Sequence, residues 1–210
     1  MKIRLKGFRR LLIESALIVF SVLFALFINR YAENQKIERQ KEVALERIIE
    51  EMKDNRRILD SAMHIHQTII SNLRRAATDE QDTLRTYLAQ QGYFSSDVLG
   101  LISNGSSFFP EFPKSTSWDA AVTTGIVAEF DYNIVTAATE VYTSQGFITE
   151  ELMPSFIQVL YTPVDPEEIK TINILSMRFV ELADLEGEVV KQIDRALGVI
   201  YPPDTVQVTQ

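Results

Sequence analysis

Cysteine is absent from this chain, which rules out disulfide frameworks, thiolate zinc sites, iron–sulfur clusters and a cysteine nucleophile. Two histidines leave little from which to build an imidazole metal site. Eight glycines and seven prolines in 210 residues exclude collagen-like and low-complexity classes. The chain has no glycine-rich phosphate loop, no H-E-x-x-H and no nucleophile elbow, so no cofactor, metal or catalytic residue is expected. Basic residues are outnumbered 29 to 21, and the net charge of −8 argues against nucleic acid as a partner.

The basic residues are concentrated at the start. Residues 1–10 contain Lys2, Arg4, Lys6, Arg9 and Arg10 and no acid. The other 200 residues therefore carry 16 basic against 29 acidic side chains. Directly after this basic segment comes the longest apolar run, LLIESALIVFSVLFALFI, from Leu11 to Ile28. Its only polar members are Glu14, Ser15 and Ser21. At ~1.5 Å per residue it spans ~27 Å, close to the hydrocarbon thickness of a bilayer. Arg30 and Tyr31 follow as interface anchors. A cleaved signal peptide would have a shorter apolar region and a small-x-small exit, whereas this run leaves through Phe27-Ile28-Asn29-Arg30-Tyr31. A buried core helix would also be apolar all round, but a run with these Phe- and Ile-rich turns fits lipid better. The expectation is an uncleaved single span, residues 11–29, in contact with the lipid bilayer. Lys and Arg number five before it, and Arg30, Lys36, Arg39 and Lys41 after it are interleaved with Glu33 and Glu38. That bias places residues 1–10 in the cytoplasm and the rest outside the inner (cytoplasmic) membrane, in the periplasm.

Beyond the span, residues 30–44 are polar and free of Gly and Pro, and read as a helical stalk. From Leu45 a heptad stripe begins: Leu45, Met52, Leu59, His66 and Leu73 on one set of positions, Ile48, Asn55, Ala62 and Ile69 on the other. Ile49, Ile58, Met63, Ile65 and Ile70 widen it beyond a two-stranded seam, which suggests a globular bundle. Thr78 or Asp79 is placed to cap a short helix with Leu84, Tyr87 and Leu88, ended by Gly92. Ser96 opens a brief turn through Ile102. Ser115 or Thr116 caps SWDAAVTT, stopped by Gly125, and Asp131 starts a longer helix that runs toward Tyr161 with Pro154 as its kink. Asp165-Pro166-Glu167-Glu168 is a strong helix start, and Ile169, Ile172, Leu175, Phe179, Leu182, Leu185, Val189, Ile193 and Leu197 then form a stripe with a period of 3.6 until Tyr201-Pro202-Pro203. No run alternates as a strand would. The fold expected is all-α: an N-terminal transmembrane helix continuing into a long helix, then an antiparallel helical bundle over 45–201 and a tail at 202–210.

Three stretches resemble an uncharacterised bacterial family of single-span, membrane-anchored proteins with an all-helical domain of unknown function. They are the span with an early Glu running into INRYAEN, the polar helix with ALERIIEEMKDN, and STSWDAAVTTGIVAEFDYNIV. In similar proteins an aromatic opens a short helix closed by Ser/Thr-Gly, followed by an aliphatic–acidic stretch and a Tyr-bearing helix. Trp118, Thr124, Gly125, Asp131 and Tyr142 occupy those places, while Tyr31 stands where similar proteins carry Trp. The resemblance implies topology and fold, and no activity.

Candidate sites are few. On a helix His64 and His66 point about 200° apart and cannot share one metal, so His66 reads as a partly buried core residue. Glu150/Glu151 and Glu167/Glu168 fall at expected helix starts, where the dipole accounts for them. Asn55 in the stripe reads as a register device. Trp118 reads as a plug at one end of the core. Phe108, Phe109 and Phe112, in the Pro-rich loop NGSSFFPEFPK, must bury in the core or meet a partner. In the span, Glu14, Ile18, Ser21 and Ala25 share one side at about 100° per residue, and Phe20, Phe24 and Phe27 another. The first side has the strongly polar group and a small-xxx-small pair, a candidate membrane-helix contact for a homo-oligomer or a membrane-protein partner. Three classes then remain: a membrane-anchored interaction or accessory protein, a ligand-sensing bundle acting through a partner membrane subunit, and an enzyme, for which no motif is found.

Overall fold

The computed structural model describes residues 4–79, 81–91, 96–107, 111–160 and 169–201. Every regular element among them is helical, and the protein is all-α: α1 (Arg4–Thr78), α2 (Thr83–Gln91), α3 (Ser96–Ile102), α4 (Thr116–Thr124), α5 (Tyr132–Gly146), α6 (Met153–Leu160) and α7 (Ile169–Ile200). A 3-10 turn, Ile126–Glu129, links α4 to α5, and a π-helical segment, Phe147–Leu152, links α5 to α6. The chain forms two compact units, Met1–Leu45 and Glu46–Gln210.

In the first unit α1 includes a helical stretch long and apolar enough to cross a membrane, with a mean hydropathy of 2.7 in its most apolar window. Every side chain from Arg10 to Lys36 is exposed, the large apolar Leu17, Phe20, Leu23 and Phe27 among them. Arg10 Nε lies 3.2 Å from Glu14 Oε1, one helical turn away, so the carboxylate that begins the apolar run has a local partner. Ser21 Oγ donates to the Leu17 carbonyl at 2.8 Å, which satisfies its hydroxyl within the helix. The rings of Phe20 and Phe24 stack at 6.0 Å.

In the second unit the core follows the two stripes. Ile48, Met52, Leu59, Ile69 and Leu73 on α1 are fully buried, as are Leu175, Phe179, Leu182 and Ile193 on α7. The Phe179 ring packs edge-on to Phe156 of α6 at 4.5 Å and against His66 of α1 at 5.5 Å, so one aromatic side chain ties three helices together. Helices α5 and α7 are in contact along their buried faces. Asn72 Nδ2 donates to the Ile102 carbonyl at 2.7 Å and fastens the end of α3 to α1.

Local structure departs from expectation in several places. α2 is capped by Asp82, whose Oδ1 accepts from the Leu84 N–H at 2.8 Å while Oδ2 meets Arg75 Nε at 2.7 Å; Thr78 is the last residue of α1. Between α5 and α6 lies a π segment directly ahead of Pro154. Pro154 has no N–H to offer the Glu150 carbonyl, and the widened turn precedes it. Glu150 and Glu151 are therefore exposed residues within that turn rather than at a helix start. Phe112 is 48% exposed and does not join the core. Phe108, Phe109, Gly92, the 165–168 helix start and Pro202-Pro203 lie outside the described residues.

Candidate functional site

Two polar residues one turn apart on α1, Glu51 and Asn55, are buried within the apolar stripe. A side chain at such a position is stable only if every polar atom finds a partner. Both find theirs in a segment far along the chain. Asn55 exchanges two hydrogen bonds with the backbone of Lys114: Lys114 N–H donates to Oδ1 at 2.8 Å and Nδ2 donates to the Lys114 carbonyl at 2.6 Å. Glu51 accepts from the backbone N–H groups of Ser117, at 2.8 Å, and Trp118, at 3.4 Å. These are the exposed donors of the first turn of α4, so α4 is capped from another helix. The Ser115 side chain makes no cap bond and donates instead to Asp119 Oδ2 at 2.7 Å. The α4 C-terminus is closed by Gly125 in the left-handed conformation, φ 77°, as its residue type requires.

Helix α5 closes the other side. Its N-terminus is capped by Asp131, which accepts from the Asn133 N–H at 2.8 Å. Tyr142 Oη donates to Glu51 Oε1 at 2.9 Å, and Asn55 Nδ2 also donates to Gln145 Oε1 at 3.2 Å. Burial, with the Glu51 carboxylate beside it, holds the Tyr142 phenol protonated well above its ordinary range. The Tyr142 ring lies parallel to the Trp118 indole, centroids 5.4 Å apart and planes within 7°. Trp118 is thus half-buried and is the wall of a cleft, where the sequence suggested a core plug. The cleft is open, has a volume of about 440 Å³, and is lined by Lys114, Trp118, Asp119, Tyr142, Gln145, Glu150 and Glu151 among others. Asn55 serves this architecture by positioning Lys114.

A second buried polar pair lies elsewhere in the core. His66 Nδ1 is 2.8 Å from a Glu186 carboxylate oxygen, and both side chains are fully buried, so His66 is more deeply enclosed than its place in the stripe suggested. Burial pushes the Glu186 carboxyl above its ordinary value, and the His66 hydrogen bond pulls it partly back. His64 is exposed, and no group of His and acids among the described residues is arranged to hold a metal ion.

Of the residues singled out by sequence, the structure brings Trp118, Glu150 and Glu151 to the cleft and leaves Phe112 exposed outside it. Glu14, Ile18, Ser21 and Ala25 are exposed on α1. The sequence reading missed Glu51, Gln145 and Glu186. Glu51 is three residues after Ile48 and four before Asn55, and Glu186 is four after Leu182, so an acid falling on each apolar stripe was the available signal. No known family model, curated protein or solved structure matches this chain.

Proposed function

We propose that this chain is a membrane-anchored, non-catalytic interaction or accessory protein, held by residues 11–29 in a bacterial inner membrane with its helical domain on the periplasmic side. The observation that carries this is the unbroken exposure of the apolar side chains from Leu11 to Ile28, a surface only lipid or another membrane helix would cover. The basic residues of 1–10 support the orientation. We further propose that the domain is an antiparallel bundle of α1 against α7. Arg56 meets Asp194 at 2.6 Å and His66 meets Glu186 at 2.8 Å, so partner numbers fall on α7 as they rise on α1. The face with Glu14, Ile18, Ser21 and Ala25 is the proposed contact for a second copy or a partner's membrane helix. Alkaline washing of membranes tests the anchor: the wild-type chain stays in the pellet, and Leu17→Arg with Leu23→Arg releases it. Release of the wild type would refute the anchor.

A second reading is favoured by one observation, the cleft at Trp118. A ligand-sensing domain acting through a partner membrane subunit would need such a cavity, and its volume lies within the small-molecule range.

A further inference from the structure

We propose that Asn104–Gly105 is a site of covalent self-modification, held unreactive by the docking of α3 on α1 and converted to isoaspartate when that docking opens.

The sequence supplies the reactive pair. Of the seven asparagines, Asn104 alone precedes a glycine. A glycine has no Cβ to shield its nitrogen, so the backbone nitrogen of Gly105 can close on the Asn104 carboxamide. In that step the bond from the Gly105 nitrogen to Cγ forms, and the bond from Cγ to Nδ2 breaks. The attacking nitrogen gives up its proton, and ammonia leaves. Water then opens the cyclic imide. Opening at Cγ leaves an ordinary aspartate. Opening at the original main-chain carbonyl leaves isoaspartate, whose backbone is one methylene longer.

The folded chain restrains both partners of this reaction. Asn104 and Gly105 are exposed just after α3, so water reaches them. Asn104 has φ 53°, the one positive φ on a non-glycine residue among those described, and Gly105 follows at φ 78°. This left-handed pair forms a turn, closed by the Ser106 N–H donating to the Ser103 carbonyl at 3.1 Å. The Gly105 N–H, which must lose its proton, donates to the Gly100 carbonyl at 2.8 Å. The carboxamide is held from α1. Asn72 Nδ2 donates to the Ile102 carbonyl at 2.7 Å, which fixes that atom as the nitrogen, so the Asn104 atom 3.2 Å from it is the oxygen.

Both restraints depend on docking. Val98 and Ile102 of α3 are fully buried. With seven residues α3 is too short to persist alone, so its terminal turn is lost when it leaves α1. The rate of modification then follows the fraction of molecules in which α3 is open. The extra methylene of isoaspartate displaces the Ser103–Ser106 closure, which makes the change one-way.

The full chain in detergent would be incubated in mildly alkaline buffer. Isoaspartate at residue 104 would be followed by peptide mass spectrometry and by labelling with isoaspartyl methyltransferase. The urea-unfolded chain gives the unrestrained rate, and the folded wild type should react at least about tenfold more slowly. Asn72→Ala removes both bonds to this turn and should raise the folded rate about tenfold. Hydrogen exchange in that variant should show Gly105 losing protection while the α7 amides keep theirs. Val98→Ala, which loosens α3 without touching Asn72, should raise the rate severalfold. A folded wild type that reacts at the unfolded rate would overturn the restraint. Wild-type rates in both variants would overturn its assignment to α3 docking. No isoaspartate at 104 in the unfolded chain would overturn the site itself.

Discussion

Tyr142 donates its hydroxyl hydrogen bond to Glu51 at 2.9 Å, across 91 residues of sequence, and both side chains are buried. The same carboxylate caps α4 through Ser117 and Trp118. One acid on α1 therefore fixes the two rings of the cleft wall, one through its hydroxyl and the other through its backbone.

Removing either partner should cost unequally. Tyr142→Phe leaves Glu51 with two backbone donors and should lower stability by about 1–2 kcal/mol. Glu51→Ala leaves the phenol and the first turn of α4 unmatched and should cost about 3 kcal/mol or more. Urea unfolding of the detergent-solubilised chain measures both. Equal, negligible losses would mean that the carboxylate does not hold the wall together.

The paired stripes predict a core with no tolerance for charge. Leu59 and Leu182 are fully buried, so Leu59→Asp or Leu182→Asp should each cost more than about 4 kcal/mol. Melting followed by circular dichroism should show either variant unfolding far below the wild type, and wild-type melting in both would place those faces elsewhere.

The His66–Glu186 pair predicts a pH dependence. The Glu186 carboxyl is raised by burial, so the folded chain keeps a proton that the unfolded chain has released. That contribution to stability is fully present below the ordinary carboxyl value of 4.5 and is lost as pH rises through the raised folded value. Glu186→Gln cannot ionise and keeps an acceptor for His66. Its stability should fall less than wild type over that rise, in urea titrations stepped from pH 4 to pH 8. Parallel profiles would show that ionisation of Glu186 is not felt by the fold.

Much of the helical plan was legible because periodicity is a local signal. The stripes from Ile48 to Leu73 and from Ile172 to Ile193 are the buried faces, and Gly125 and Asp131 are the caps their residue types suggest. Of the cleft's lining the sequence singles out Trp118, Glu150 and Glu151, none of them as a cleft residue. Its other parts depend on pairings across long sequence separations, Asn55 with Lys114 and Glu51 with Tyr142, which no local pattern encodes. The capping error at α2 has a similar origin: Thr78, Asp79 and Asp82 are all plausible caps by type, and the Arg75 contact singles out Asp82. Phe112 is expected to bury in the core or meet a partner, and its exposure argues against the first.

The span predicts a one-sided contact. Disulfide cross-linking in membranes should be stronger from Ser21→Cys than from Phe24→Cys, which faces another side of the helix. Equal cross-linking, or none from either, would count against a specific face.

Because the chain has no cysteine, a single introduced thiol gives the most direct test of membrane placement. Met177 is 62% exposed on α7, and Lys6 lies in the basic start. With a maleimide that passes the outer membrane but not the inner, Met177→Cys should label in intact cells and Lys6→Cys only after permeabilisation. The reverse pattern, or labelling of both positions only after lysis, would contradict a domain anchored outside the inner membrane.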